Sequence, residues 1–510
     1  MSCKSSLRSL LTSLILFSAV FSPLATAGDW REYRSDYFTV YSDASEKRVS
    51  NLLRDMERFR QAILFVTRQE NTLENQRLQV FYFKSSRQFK KFTRKDNIAG
   101  FYTDTWDGPL IFARANAGGF SDGGVAFHEY VHHLMRERGQ SIYPKWYSEG
   151  FAEFLASARL TKDGVWIGEV PKWRLYAFSG KGAGSRPLPL REILKPDTEN
   201  YSPLYANSYY AGAWLLTHYL QFGAGYAGKS YDKETSNYFH ALKNGEDPLK
   251  AFEEHYGKSL DEMQAELNRY ARGQLRSRKV TIPEYEGDIQ TRKLTNNERN
   301  FLLGEKAWTL DDGELAEEYL NKADKKSAGW QENYALLAEI KLRTGDEPAA
   351  ARMADITESA KIEDYRTAAN LALYYAGRLH ATKKADEWDE ALYRGAVQNA
   401  KAAIEMNPAH LPGYRALWIA QQLNGERLEA FKTMMAAYQR EPGNLFINTK
   451  LGFYLESIDR ADLARPFLEN VVAWSHSGKQ RSRAKKILDS LEAEASPYDS
   501  EEKAGEKKSG

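Results

Sequence analysis

Alanines recur through the last third of this chain with a spacing that leaves few folds open. Ala316 and Ala350 are 34 residues apart, and so are Ala396, Ala430 and Ala464 in succession. Pro408 and Pro442 keep the same step. Gly304 and Gly452 fall where a small residue lets two helices approach closely. A unit of this length holds one helical hairpin, which cannot bury its apolar face alone and must stack on its neighbours. The step from Ala350 to Ala396 is 46, so one unit carries about 12 extra residues near 360–390. Residues 296–490 are therefore expected to form an all-α stack of hairpins.

This period, with its Ala, Gly and Pro placement, resembles tetratricopeptide repeats. Most consensus Trp and Tyr positions differ, and Ala338 and Trp418 stand where the consensus has Gly. The resemblance implies a solenoid with a concave surface suited to a peptide or protein partner.

A different signal lies at residues 128–133, His-Glu-Tyr-Val-His-His. His128 and His132 are four apart, so on a helix their imidazoles project from one face and can grip one metal ion. Glu129 is placed between them to polarise a water at that metal. The flanking Val125, Ala126, Phe127, Tyr130, Val131, Leu134 and Met135 describe an apolar, largely buried helix. Asp122 is its expected N-cap, Arg136 and Arg138 fall in its last turn, and Gly139 is its expected stop. His133 points elsewhere on the helix and reads as structural.

A second helix is expected after Pro144, carrying Glu149-Gly-Phe-Ala-Glu153. Glu149 follows His132 by 17 positions, enough for a loop and a return. Glu149 and Glu153 share a face and would repel on a bare helix. The pair makes sense if Glu149 completes the metal site and Glu153 accepts a hydrogen bond from a ligating histidine. Zinc suits imidazole and carboxylate ligands with one position left open.

Through these motifs, roughly residues 28–272 resemble the gluzincin metallopeptidases of the peptidase MA-like type. The opening Trp30-Arg-Glu-Tyr-Arg-Ser-Asp-Tyr-Phe-Thr-Val40 belongs to the likeness. The resemblance implies an α+β zincin-like domain with one Zn2+ per chain. It implies His128, His132 and Glu149 as zinc ligands, Glu129 as general base and acid, and Glu153 as an acid behind the ligands. It also implies a donor for the oxyanion. Tyr210, on a helix expected around 205–220, is the candidate, with Tyr209 beside it. Gly108 to Asn116 reads as the strand that lines up substrate, and an exposed edge at Leu110–Ala113 would favour extended peptides. Aminopeptidases of the group carry an acid there and this chain has none, which leans toward endopeptidase action. Arg114 reads as a surface residue.

Residues 1–27 read as a secretory signal, with Lys4 and Arg8, an apolar run from Leu10 to Val20, and Ala25-Thr-Ala27 before Gly28. An exported protein, periplasmic or secreted, is expected, with no membrane span in the mature chain. The one cysteine, Cys3, precedes the apolar run. A mature chain would thus lack both a cysteine nucleophile and thiolate ligands. The chain has 71 basic and 69 acidic residues, and loss of Lys4 and Arg8 leaves 69 against 69. That balance gives no case for nucleic acid.

Strands are expected at Tyr37–Tyr41, Leu78–Phe83 and Ile111–Ala113, and a helix over Ala44–Phe65. Residues 273–295 are expected as a linker and 491–510 as a disordered charged tail. Two functions from different classes follow. One is an exported zinc endopeptidase whose repeats recruit a substrate or partner. The other is an envelope assembly factor or chaperone that binds proteins through its repeats, its peptidase fold secondary or inactive. A hydrolase acting on a non-peptide amide would need the same zinc site. Removing 296–510 is expected to spare activity on small peptides.

Overall fold

Two strands explain the architecture. β3 (Leu78–Phe83) and β5 (Gly108–Arg114) run through almost wholly apolar sequence, Leu-Gln-Val-Phe-Tyr-Phe and Gly-Pro-Leu-Ile-Phe-Ala-Arg. Strands without alternation belong in a sheet covered on both faces. A computed structural model describes residues 29–70, 77–93, 98–115, 124–138, 143–195, 202–223, 231–273, 275–385, 387–475 and 478–495. The expected signal at 1–27, the caps Asp122 and Gly139, and most of the expected tail lie outside the described residues.

The main sheet also contains β1 (Arg31–Arg34), β2 (Phe38–Ser42), β4 (Gly100–Thr105) and β9 (Gln290–Lys293). Its order is β4-β5-β3-β2-β1-β9. β2, β3 and β5 are parallel, while β4 and β1 run antiparallel to their neighbours. α1 (Glu46–Thr67) and α3 (Gly124–Arg138) cover one face, with Phe59 stacked on Phe127 at 4.2 Å. A short α2 (Ser86–Phe89) follows β3.

Beyond α3 come α4 (Lys145–Ala156), β6 (Arg159–Thr161), β7 (Gly164–Ile167), α5 (Leu190–Ile193) and α6 (Pro203–His218). The region closes with α7 (Asp232–Lys243), α8 (Pro248–Tyr256), α9 (Leu260–Arg272) and β8 (Arg278–Val280). Strands β6, β7 and β8 make a small antiparallel sheet.

The segment expected as a linker, 273–295, supplies β8 to the small sheet and β9 to the edge of the main one. Arg58 of α1 also donates to the carbonyls of Ile282 and Pro283. Its Gly, Pro and charged residues serve turns between two edge strands, which sequence composition does not separate from a linker.

The rest is all helix: α10 (Asn296–Thr309), α11 (Gly313–Leu320), α12 (Trp330–Arg343), α13 (Glu347–Glu358), α14 (Tyr365–Lys384) and α15 (Glu390–Met406). Then follow α16 (Leu411–Leu423), α17 (Arg427–Arg440), α18 (Leu445–Ser457), α19 (Ala461–Trp474) and α20 (Gly478–Ala495). The five alanines of the period lie on α11, α13, α15, α17 and α19, all fully buried. A Cβ on Gly304 would stand 2.6 Å from Leu320, and one on Gly452 2.7 Å from Leu468, so each hairpin closes on its glycine. The extra residues lengthen one hairpin, whose helices α14 and α15 have 20 and 17 residues against 14 and 12 in α12 and α13.

The solenoid is not a separate body. Phe301, Leu302, Tyr319, Leu336 and Ile340 pack on Trp30, Tyr41, Phe81, Phe83 and Phe112, the second face of the main sheet. Farther along, Phe446 stacks on Trp106 at 5.5 Å and Asn444 donates to the Thr105 carbonyl at 3.0 Å. Lys243 on α7 pairs with Glu469 on α19 at 3.3 Å.

Candidate metal centre

α3 and α4 carry the residues singled out by the motifs, and a glycine sets how the second helix lies. A Cβ on Gly150 would stand 2.4 Å from both the Ala213 carbonyl oxygen and Thr217 Oγ1. Only a bare Cα lets α4 rest directly on α6. That contact places Glu149 opposite the two histidines and brings Tyr210 toward them.

The geometry is tight. His128 Nε2 and His132 Nε2 approach to 3.2 Å. Glu149 Oε2 lies 3.3 Å from the first and 3.4 Å from the second. One ligand atom from each of the three falls within 4.8 Å of the others, and all three are partly buried. Two imidazoles and one carboxylate converging on a point fit zinc by donor type and number. In the protein without metal, burial raises the Glu149 carboxyl, but the two histidines outweigh it and hold the group well below the usual carboxylate range.

Glu129 sits beside this cluster and is not part of the triplet. Burial, then the charge of Glu149, push its carboxyl upward, while the histidines and the Tyr102 N–H on β4 pull it down; the net is upward. A carboxyl so raised can hold and release a proton nearer neutrality. Glu153 is 1 % exposed and accepts hydrogen bonds from Trp173 Nε1 and Arg174 Nη2, each at 2.7 Å. Its Oε1 lies 3.7 Å from His128 Nδ1, an ion-pair separation rather than the hydrogen bond expected. Ser148 Oγ takes the corresponding place at His132 Nδ1, 3.2 Å away.

Tyr210 and Tyr209 separate. The Arg174 guanidinium stands 4.7 Å over the Tyr210 ring, and Glu149, then burial, raise the Tyr210 phenol strongly. Tyr209 is 2 % exposed and belongs to the core. His133 is buried, its ring 5.8 Å from Tyr130 and 6.0 Å from Tyr102. Arg114 donates to Ser86 Oγ. Arg136, expected only to sit near the end of its helix, ties α3 to Asp104 of β4 and donates to the Gly443 carbonyl of the repeats at 2.7 and 3.0 Å.

The expectation of an exposed edge at Leu110–Ala113 is overturned. β5 is paired on both sides, and the edge strand is β4. The Arg114 N–H donates to the Ala99 carbonyl, so by antiparallel alternation Gly100, Tyr102 and Asp104 turn their backbone groups outward. Tyr102, Trp173, Arg174 and Ser148 were not singled out by sequence, because no fixed spacing links them to the histidines. A cavity of about 760 Å³ lies beside the centre against Val131, Met135, Tyr147 and Phe151, and none of the metal-facing residues lines it.

Residues 124–225 match a family model described as "Protein of unknown function (DUF1570)". No curated protein matches the chain. Among solved structures it is similar to TTC0263, a thermophilic TPR protein in Thermus thermophilus, with 18% identity over 38% of this chain and 98% of that one, TM-score 0.32. It is similar also to MamA AMB-1, with 18% identity over 34% of this chain and 87% of the other, TM-score 0.24. The matched segment contains His128, Glu129, His132, Glu149, Glu153 and Tyr210.

Proposed function

We propose that this chain is an exported zinc-dependent hydrolase of the gluzincin type, acting as an endopeptidase on extended segments of protein, with its repeats holding the substrate or a partner. One observation carries the reading: His128, His132 and Glu149 converge within 4.8 Å, with Glu129 beside them. When bound, zinc supplies a Lewis acid for the scissile carbonyl and lowers the pKa of a neighbouring water. Glu129 takes the proton of the attacking water and passes it to the leaving amine. Tyr210, whose phenol feels the charge of Glu149, is the donor for the carbonyl oxygen, whereas Tyr209 stays in the core. Glu153, itself fixed by Trp173 and Arg174, steadies His128.

The β4 edge supports an extended substrate, since a peptide can pair with outward backbone groups of Gly100 and Asp104, on either side of the Tyr102 N–H that serves Glu129. Along the strand toward Asp104, the edge runs into a cavity of about 500 Å³ lined by Trp106, Trp418, Phe446 and Arg415, where the repeats meet the sheet. No helix among the described residues is long and apolar enough to cross a membrane.

The test pairs metal content with turnover. His128→Ala and Glu149→Ala should each lose one zinc relative to the wild type. Glu129→Gln should keep it and lose hydrolysis by about 10²–10⁴-fold, the usual size of a general-base contribution. Wild-type turnover in Glu129→Gln would overturn the mechanism. A wild type that binds no zinc at His128 would leave the protein-binding repeats as the better account.

A further inference from the structure

The turn between β4 and β5 carries Asp107, and two repeat helices converge on it. Glu305 lies on α10, and His410 immediately precedes α16. One ligand atom from each of Asp107, Glu305 and His410 lies within 4.8 Å of the other two. The three positions are 198 and 105 residues apart in sequence, so only the tertiary fold assembles them.

His410 is the informative member. It is 5 % exposed, and neither ring nitrogen has a hydrogen-bond partner. Nε2 points toward Asp107 Oδ1 but stands 3.6 Å from it, beyond hydrogen-bonding distance. The ring is held edge-on against Tyr365 at 4.8 Å, so packing rather than hydrogen bonding sets its direction. A buried imidazole with both nitrogens unsatisfied is costly, and such exceptions call for a cause. A ligand between the three side chains would supply one.

The charge in this region favours a cation. Glu305, Asp364, Lys306 and Arg366 act on His410, and Glu332 acts on Arg366. Burial, then the charge of Asp364, push the Glu332 carboxyl up to about 8, so it is left out of the balance; Asp107, Glu305 and Asp364 then face Lys306 and Arg366, three carboxylates against two cations, a formal −1. Lys306 Nζ holds Glu305 Oε2 at 2.9 Å, which leaves the second oxygen of Glu305 for a ligand. Gln79 donates to Asp107 and steadies it.

We propose that Asp107, Glu305 and His410 form a second divalent-cation site, which clasps the β4–β5 turn to the repeat helices. Imidazole with two carboxylates suits zinc, manganese or ferrous iron better than calcium or magnesium, which prefer all-oxygen sites. The site is structural: it joins the sheet to the first and fourth hairpins. It also anchors the end of β4, the strand that presents the Tyr102 N–H to Glu129. The inference stands independently of the catalytic reading, because it uses none of the same residues.

Metal-free full-length protein titrated with zinc, and separately with manganese, tests it. Zinc should bind in two equivalents to the wild type and in one to His410→Ala. His128→Ala should also retain one, and the double variant none. The retained equivalent in His128→Ala should raise its Tm, and this rise should vanish in the double variant. Asp107→Asn, nearly isosteric, repeats the reading if His410→Ala fails to fold. Unchanged stoichiometry in both His410→Ala and Asp107→Asn, or no metal in His128→Ala, overturns the site. A wild type binding one zinc that only His410→Ala loses would keep the clasp and sink the catalytic reading instead.

Discussion

At His128 opposing forces meet. Burial disfavours the imidazolium, but the hydrogen bond to Glu149 and the charges of Glu129, Glu153 and Glu149 outweigh it and raise the group to about 9 in the metal-free protein. Zinc needs the neutral ring, so binding at pH 7.5 should release about one proton. Calorimetric titrations in buffers of different ionisation heat measure this directly; a heat independent of buffer would show that His128 was neutral beforehand. The same group links stability to pH. Its folded pKa lies above the unfolded value of 6.5, so its contribution is complete below that pH and is lost as pH rises toward 9. The Tm of metal-free protein should therefore fall between pH 6.5 and 9, and His128→Ala should flatten that slope. Much of this centre is legible in sequence, because helical spacing alone aligns His128 with His132 and Glu149 with Glu153. Trp173, Arg174, Ser148 and Tyr102 are not, because their approach is set by tertiary packing that leaves no period.

Elements meet at Gly150, where a methyl group would lie 2.4 Å from backbone of α6. Overpacking of this kind costs roughly 1–3 kcal/mol. Gly150→Ala should lower the Tm and, by shifting Glu149, weaken zinc binding measured by chelator competition. Gly257→Ala makes the contrast: its φ of 64° strains a side chain, but nothing lies within 4 Å of the added carbon. It should cost about 1 kcal/mol and leave zinc affinity alone. Equal zinc affinity in both variants would show that the α4–α6 contact does not set the site. The strands are legible to different degrees. β3 and β5 stand out by their apolar runs, whereas β4, Gly-Phe-Tyr-Thr-Asp-Thr, hides its role because its partly exposed residues mix both classes. Sequence alone therefore places the edge on the wrong member of the hairpin.

On the scale of the molecule, the 34-residue period foretells the hairpins but not where they dock. Trp30, Tyr41, Phe81, Phe83 and Phe112 read as strand interior, and nothing in their spacing says that α10, α11 and α12 cover them. The expectation that residues 296–510 can be removed without harm to small-peptide activity gives way to another. A 28–295 fragment would expose these aromatics, each worth roughly 2 kcal/mol of burial. It should aggregate or bind a hydrophobic dye strongly, and should show no cooperative melting; a soluble fragment with the native Tm would refute the shared core. The strand pairing adds a constraint in time. Arg31 on β1 lies opposite Lys293 on β9. A chain emerging from its N-terminus first can pair β1 with β2, but must carry an open outer edge on β1 and a bare aromatic sheet face until Lys293, and then Ile340, have appeared. Folding of the whole waits on its middle, and during that interval the growing chain needs shelter from its neighbours.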